Sequence, residues 1–414
     1  MKGIPDQKDI SGCAIAGIIS ESGQRFSGET IMRCMANMRE RANGLGGGFA
    51  AYGIYPEHED DYAIHLMCDD DDAKRRSEEV LLGACVIHAD EPIPTRPVDA
   101  IRSAPILHRY FVSVRPDQQT TSPQQAENDL IVRLVMTINA SVDGAFVMSS
   151  GKNMGIFKGV GYPEDIGTFF QLERYESHTW IGHGRFPTNT QGWWGGAHPF
   201  GLLDWAVAHN GEISSYGVNR RYLADFGYQC TLQTDTEVIA YLLDLLVRKH
   251  GLSIDAACTA LAPPFWSHIE RMEPSRRELV RAIRIVYGGA LLNGPFSIVV
   301  GHSKGIMALC DRIKLRPMVA ARKGDMLYVA SEEAGIREVC RSPDTLWHAE
   351  GGVPIVGRLR ASNKMPREPR CASGRMDARK GDDAVPGSGT VRSPDAADAG
   401  LRRNPEGRGH GSFC

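Results

Sequence analysis

Residues 11–20 read Ser11-Gly12-Cys13-Ala14-Ile15-Ala16-Gly17-Ile18-Ile19-Ser20, a cysteine followed by an apolar run that predicts a buried β-strand over 14–20. If the chain were cleaved after Gly12, Cys13 would carry a free α-amine beside its own thiol. That amine would titrate near pH ~8 and could act as a base, which a peptide nitrogen cannot. The alternative is that Cys13 is a small buried core residue, the commoner fate of a free cysteine.

Composition excludes several classes of protein. The 414 residues, 42% of them hydrophobic, suffice for one large core or two modest ones. A net charge of -3 gives no general attraction to nucleic acid or to an anionic membrane, and no apolar run is long enough to span a bilayer. The ten cysteines are scattered without a CxxC pair, which argues against structural zinc, an iron–sulfur cluster and a disulfide framework. We therefore expect a reduced, cytoplasmic protein.

The organisation along the chain predicts three parts. Residues 1–12 form a short polar leader or propeptide, and 13–361 a folded domain of alternating strands and helices, with helices over 29–41 and 237–250. Residues 362–414 are rich in Gly, Pro, Arg, Asp and Ala, which predicts a disordered tail. Their composition also suggests a change of reading frame near codon 361. The glycines of 158–164 only half match a dinucleotide fingerprint, since the third glycine is missing and Pro163 stands where the helix should begin.

Three motifs in the domain carry chemistry. Arg185 ends a predicted strand, and an arginine fork suits a carboxylate, with Thr188 adding a neutral hydrogen bond. An Asn side chain and a Gly backbone N–H, at Asn210-Gly211, are plausible donors for an oxyanion hole. Asp235 offers a carboxylate at a helix start. Singly, each could be a surface salt bridge, a hairpin turn or an N-cap. Together they describe a pocket for a free α-amino acid.

The motifs resemble a known family. Residues 185–190 (Arg-Phe-Pro-Thr-Asn-Thr), 197–200 (Ala-His-Pro-Phe), 209–213 (His-Asn-Gly-Glu-Ile) and 234–237 (Thr-Asp-Thr-Glu) look like the glutaminase domain of glutamate synthase. More broadly, the chain resembles the class II, N-terminal nucleophile, glutamine amidotransferases over about residues 13–360. It is most similar to the separate amidotransferase subunit of split, archaeal-type glutamate synthases.

The resemblance implies the catalytic roles. Cys13 would be the nucleophile, freed by removal of Met1–Gly12, and its α-amine the general base acting through a water. Asn210 and Gly211 would form the oxyanion hole. Two departures from the family occur next to these residues, because Ala14 and Ala42 stand where glycine is usual, and we expect them to reshape the site slightly.

The resemblance also implies the substrate-binding residues. Arg185 and Thr188 would take the glutamine α-carboxylate, and Asp235 the α-ammonium. Arg41 would orient the cysteine region, and His209 belongs to the same substrate-binding group. The loop through Trp193–Gly196 could close over glutamine as a lid.

The expected fold is α+β, a four-layer α-β-β-α sandwich of the N-terminal nucleophile hydrolase type with two mostly antiparallel sheets. The expected reaction is hydrolysis of L-glutamine through a cysteinyl thioester, with the ammonia passing to an FMN-containing glutamate synthase subunit. No cofactor is expected on this chain, because FMN and iron–sulfur clusters would lie on partner chains. Three alternatives stay open: another acceptor reaction such as N-methylglutamate formation, a related amidohydrolase with a different acyl substrate, and a catalytically silent regulatory homologue.

Overall fold

A computed structural model describes residues 12–116, 123–186 and 192–360. The strands are β1 Ala14–Ser20, β2 Phe26–Ser27, β3 Gly47–Tyr52, β4 Tyr62–Cys68, β5 Cys85–Pro92, β6 Ile106–Val114, β7 Ala145–Ser149, β8 Met154–Gly159, β9 Glu176–Ser177, β10 Thr179–Gly184, β11 Phe200–Leu202, β12 Trp205–Gly211, β13 Phe296–His302, β14 Gly305–Cys310, β15 Val319–Lys323, β16 Met326–Ala330, β17 Thr345–His348 and β18 Ile355–Arg358.

The helices are α1 Glu29–Asn37, α2 Asp71–Ala84, α3 Pro123–Ser141, α4 Pro163–Phe169, α5 Tyr216–Ala224, α6 Asp235–Leu243, α7 Ile254–Leu261, α8 Trp266–Ile269, α9 Pro274–Val286 and α10 Glu333–Val339. Short 3-10 turns lie at Arg39–Arg41, Pro56–His58, Leu172–Arg174 and Gly288–Ala290, and a π-helical turn at Asp244–Lys249. The predicted tail, and the predicted leader apart from Gly12, lie outside the described residues.

Two antiparallel sheets face each other in the described part of the chain. One has the strand order β17-β15-β16-β1-β10-β3-β8, and the other β11-β12-β13-β14-β18. The predicted strand after Cys13 is β1, paired with β10 on one side and β16 on the other. Ile15 and Ile181 from the first sheet and Ala208 and Val299 from the second are fully buried in the layer between them. Burial on both faces explains why β1 is apolar throughout instead of alternating.

Helices cover the outer face of each sheet. On the first sheet α1 and α10 pack with the strands, and Met35 and Ile336 are buried with Ile18. On the second sheet α6 lies over β11 and β12, and Leu242 is buried with Val300. This order of layers confirms the predicted α-β-β-α sandwich.

A further sheet, which the predicted architecture did not include, has the order β5-β6-β4-β7 and packs with α2 and α3. Asp70, in the acidic run after β4, caps α2 by accepting a hydrogen bond from the Ala73 N–H at 2.8 Å. Its role is thus that of an N-cap, for which Asp is a preferred residue. No helix in the described ranges is long and apolar enough to cross a membrane.

Three helix boundaries differ from prediction. The helix expected over 29–41 ends at Asn37 and continues as a 3-10 turn, and the helix expected over 237–250 begins at Asp235 and changes to π-helical geometry after Leu243. Thr234 caps that helix, its hydroxyl accepting from the Thr236 N–H at 3.3 Å. A helix does begin at Pro163, because the first turn of a helix does not need the N–H that proline lacks.

Candidate active site

Cys13 lies immediately before β1, at one end of the first sheet, and is only partly exposed. The Phe186 backbone N–H, just beyond the end of the paired strand β10, donates to the Cys13 sulfur at 3.3 Å. Burial raises the pKa of the Cys13 thiol, while the Phe186 N–H and the charges of Arg185 and Arg316 act in the opposite direction. The thiol is therefore largely protonated near neutral pH, and ionising it requires a base.

Arg41, which the resemblance assigns to orienting the cysteine region, contacts the backbone of Cys13. Its Nε donates to the Cys13 carbonyl oxygen at 3.3 Å, and its Nη1 donates to the Glu332 carboxylate at 2.8 Å. A Cβ on Gly12 would lie 3.0 Å from Arg41 Nη2 and 3.9 Å from Arg316 Nη1. The peptide bond between Gly12 and Cys13 therefore lies beside two guanidinium groups.

Arg185 and Asp235 lie within electrostatic reach of Cys13. Arg185 is 9% exposed, and its backbone N–H donates to the Gly46 carbonyl oxygen at 2.8 Å. Burial raises the pKa of Asp235, but His209, the Ile213 N–H at 3.0 Å and Thr236 outweigh it, so the net shift is downward and the carboxylate stays ionised. A cation and an anion thus both act on the thiol. Thr188 lies outside the described residues.

His209 is buried in β12 and supports Asp235. Its Nδ1 lies 3.3 Å from Asp235 Oδ1 and 3.2 Å from the Thr236 hydroxyl. Its backbone carbonyl lies 3.0 Å from His183 Nε2, so the ends of β10 and β12, one from each facing sheet, are in contact. His209 therefore positions the carboxylate predicted to bind the substrate amine, and it is joined to both sheets.

Asn210 and Gly211 end β12. Asn210 is 1% exposed, and its Nδ2 amide has no acceptor among the described residues. A buried donor without a partner is costly, and it is the property expected of a group that binds a transient oxyanion. Gly211 has φ +146°, and a Cβ there would lie 2.0 Å from the Pro295 carbonyl oxygen. Only glycine fits at this strand end.

The two departures from the family pattern lie in extended backbone. Ala42 has φ -120° and ψ 158°, and Ala14 is a fully buried residue of β1 opposite Gly184. Neither position needs the positive φ that glycine would provide. The methyl groups are therefore accommodated without backbone strain, and the expected reshaping of the site is not required.

Other residues of the site were given no role from the sequence. Arg316 acts electrostatically on Cys13, and the Ser331 hydroxyl accepts the Ile15 N–H at 3.0 Å. Among the described residues no group of three or more His, Cys, Asp or Glu could hold a metal ion.

Comparison with known proteins gives a consistent result. The family described as "Glutamine amidotransferases class-II" matches residues 71–344, a range that includes Arg185, Asn210 and Asp235 but begins after Cys13 and Arg41. An uncharacterized protein of Archaeoglobus fulgidus is 51% identical over 365 residues, covering 87% of this chain and 96% of that one. A Methanothermobacter thermautotrophicus protein, whose name assigns it provisionally to the glutamine amidotransferases, is 27% identical over 351 residues, 83% and 99% of the two chains.

One relative is an enzyme of which only about a third aligns with this chain. The glutamine–fructose-6-phosphate aminotransferase of Vibrio cholerae is 29% identical over 224 residues, which are 53% of this chain and 34% of that protein. The likeness thus covers about a third of the relative, so the remainder of that protein has no counterpart in the comparison.

Proposed function

The chain belongs to the class II glutamine amidotransferases, and from that premise we propose that it hydrolyses L-glutamine to glutamate and ammonia through a thioester on Cys13. The observation that carries the proposal is the arrangement around the thiol. The cation of Arg185 and the anion of Asp235 both act electrostatically on Cys13, and they suit the carboxylate and ammonium of a free α-amino acid. A substrate that lacks these charged groups would not require both Arg185 and Asp235.

The first half of the reaction forms the thioester. The thiol transfers its proton to the α-amine of Cys13, through a water, and the sulfur attacks the side-chain carbonyl carbon of glutamine. The Asn210 amide and the Gly211 N–H donate to the oxyanion that develops on the carbonyl oxygen. When the C–N bond breaks, the protonated α-amine of Cys13 returns the proton to the leaving nitrogen, and ammonia departs.

The second half regenerates the enzyme. The neutral amine takes a proton from water, the oxygen attacks the thioester carbonyl, and the C–S bond breaks to give glutamate and the thiol. The base exists only if Met1–Gly12 is removed. Arg41 and Arg316 lie beside the bond that must be cut, and nearby positive charge lowers the pKa of an amine. The pKa of an amine generated here would therefore lie below its ordinary value, which enlarges its neutral, basic fraction near neutral pH.

For the fate of the ammonia, we propose that it passes to an FMN-containing glutamate synthase subunit. The motifs Arg185–Thr190 and His209–Ile213, which most resemble the glutaminase domain of glutamate synthase, support this choice. Adding an FMN-containing glutamate synthase subunit, with its 2-oxo acid acceptor and a reductant, should raise glutamate formation from one molecule to two molecules per glutamine consumed. Formation of N-methylglutamate instead would favour the alternative acceptor reaction.

The central experiment measures the intact mass of the purified protein with and without diazo-oxo-norleucine, a glutamine-like affinity label. The expected result is loss of the Met1–Gly12 mass and addition of one label, placed on Cys13 by peptide mapping. Cys13→Ala should take up no label and release no ammonia from glutamine, whereas Cys340→Ala, which alters a buried cysteine, should behave as wild type. An unprocessed and unlabelled wild type would favour a catalytically silent homologue.

A further inference from the structure

Lys158, in β8, has a buried side chain, which is unusual for lysine. It is 3% exposed, and its Nζ donates to the Gly195 carbonyl oxygen at 3.0 Å. The same Nζ lies 4.0 Å from the centroid of the Phe200 ring. Within the described residues no carboxylate reaches ion-pair distance of Nζ. Burial lowers the pKa of Lys158 to about 7, and the charge of Glu237 only partly offsets this effect.

The carbonyl that Lys158 holds belongs to the Trp193–Ala197 segment. Trp194 packs on the residue next to Lys158, because a Cβ on Gly159 would lie 2.5 Å from the Trp194 ring. The Trp194 ring also meets Phe169, with 5.8 Å between ring centroids. Lys158 and Gly159 therefore anchor consecutive residues of the segment, one through a hydrogen bond and the other through close packing.

The same segment contacts the surroundings of Arg185. A Cβ on Gly46 would lie 3.1 Å from Arg185 Cδ and 3.5 Å from Ala197 Cβ, so both side chains lie over the same glycine. The Gly46 carbonyl in turn accepts the Arg185 N–H. The Lys158 amine nitrogen is thus connected with the stem of Arg185 through the segment from Gly195 to Ala197 and through Gly46.

We propose that Lys158 is a positioning residue for substrate binding: by holding the Gly195 carbonyl, it fixes the Trp193–Ala197 segment against Arg185 and so sets the pocket for the α-carboxylate. The inference rests on the proposed glutaminase function. It gives a role to a lysine that does not touch the reacting atoms. It also describes the Trp193–Ala197 segment as anchored in place, whereas the sequence predicts a lid that closes over glutamine.

The test compares two reagents for the same thiol in the processed protein. Diazo-oxo-norleucine carries an α-carboxylate and needs the pocket, whereas iodoacetamide has none. Lys158→Met should raise KM for glutamine about tenfold, the scale for losing one buried hydrogen bond, and change kcat less than threefold. It should slow labelling by diazo-oxo-norleucine but leave alkylation of Cys13 by iodoacetamide unchanged.

Two further variants complete the design. Lys152→Met is the matched control, because Lys152 also lies over an aromatic ring, 4.5 Å from the Tyr62 centroid, but does not hold the segment, and its KM should be that of wild type. Lys158→Arg keeps a cationic donor and should restore KM toward the wild-type value.

Three results would overturn the positioning role: an unchanged KM in Lys158→Met, equal slowing of both reagents, or a KM in Lys158→Arg as high as in the Met variant. If Lys158→Met does not fold, Lys158→Gln, which is shorter and uncharged, takes its place in the same comparisons. Failure of the wild type itself to release ammonia or accept the affinity label would instead contradict the proposed glutaminase function.

Discussion

The backbone N–H of Phe186 points at the sulfur of Cys13 across 3.3 Å, although the two residues are 173 positions apart in the chain. The contact exists because β1 and β10 are antiparallel neighbours, with Ala14 opposite Gly184, so the start of one strand meets the end of the other. It places a stabilising donor on the thiolate without supplying a base. The reactivity of Cys13 should therefore depend strongly on pH.

In the unprocessed chain, alkylation of Cys13 by iodoacetamide should accelerate with rising pH. Burial raises the pKa of this thiol above its ordinary 9.0, and below the pKa the thiolate fraction grows about tenfold per pH unit. We expect this slope to persist from pH 7 to 9 without a plateau. Peptide mapping of the alkylated protein gives the rate at Cys13 alone. A plateau below pH 9 would show that the thiol is activated before processing.

Arg316 should contribute to that reactivity through its charge. It is one of the cations that lower the pKa of Cys13, so Arg316→Met should slow alkylation several-fold at pH 8. Arg312, four residues earlier, lies over the Phe265 ring instead, and Arg312→Met is the matched control. Equal rates in the two variants would mean that Arg316 is too well screened to act on the thiol.

Much of this site could be predicted from local sequence, because its residues occur where elements begin or end. Cys13 precedes an apolar run, Asn210-Gly211 ends a strand, and Asp235 opens a helix, and each such position has a short-range signal. A continuous apolar run also predicts a buried strand, which is why β1 was identified with its bounds.

The remainder depends on pairings over long distances in the chain. The hydrogen bond from Ile15 N to Ser331 spans 316 residues, and no periodic pattern encodes it. Lys158 stands in a glycine-containing stretch considered only as a nucleotide motif, and its burial follows from the loop that packs over it. The β5-β6-β4-β7 sheet was missed for the same reason, since the pattern of a strand does not specify which sheet it joins.

Arg41 should matter for catalysis more than for stability. Its ion pair with Glu332 is partly exposed, at 19% and 42% of the two side chains, so Glu332→Gln should lower the free energy of unfolding by less than about 1 kcal/mol. Arg41→Met also removes the donor to the Cys13 carbonyl, and kcat should fall at least about tenfold. Arg33→Met, which breaks a more exposed pair with Glu338, should leave kcat unchanged in the same assay.

Asp235 should control the affinity for glutamine. Asp235→Asn removes the charge expected to meet the substrate ammonium, and KM should rise about 10- to 100-fold, the scale of a charged hydrogen bond. Because the pKa of Asp235 is lowered, the wild-type carboxylate remains ionised as the pH falls from 8 to 5, so its titration should not raise KM in that range. Asp129→Asn, which alters an ion pair with Arg248, is the control and should keep the wild-type KM.

Gly211→Ala should damage both stability and catalysis, and a second glycine separates the causes. Gly211 has a positive φ, which disfavours alanine, and the added Cβ would lie 2.0 Å from the Pro295 carbonyl oxygen. The β12 strand would therefore have to move away from β13. Positive φ and overpacking each cost about 1–3 kcal/mol, and we expect a loss of about 3 kcal/mol or more in the free energy of unfolding. Gly227→Ala has φ +85° and meets nothing within 4 Å, so it should lose only about 1 kcal/mol and keep its kcat. Denaturant unfolding and ammonia release, measured on both variants, check this prediction.

Equal losses of stability in the two variants would show that backbone conformation alone requires glycine at position 211. A normal kcat in Gly211→Ala would exclude the Gly211 N–H from the oxyanion hole, because the shifted strand end could not keep that donor in place.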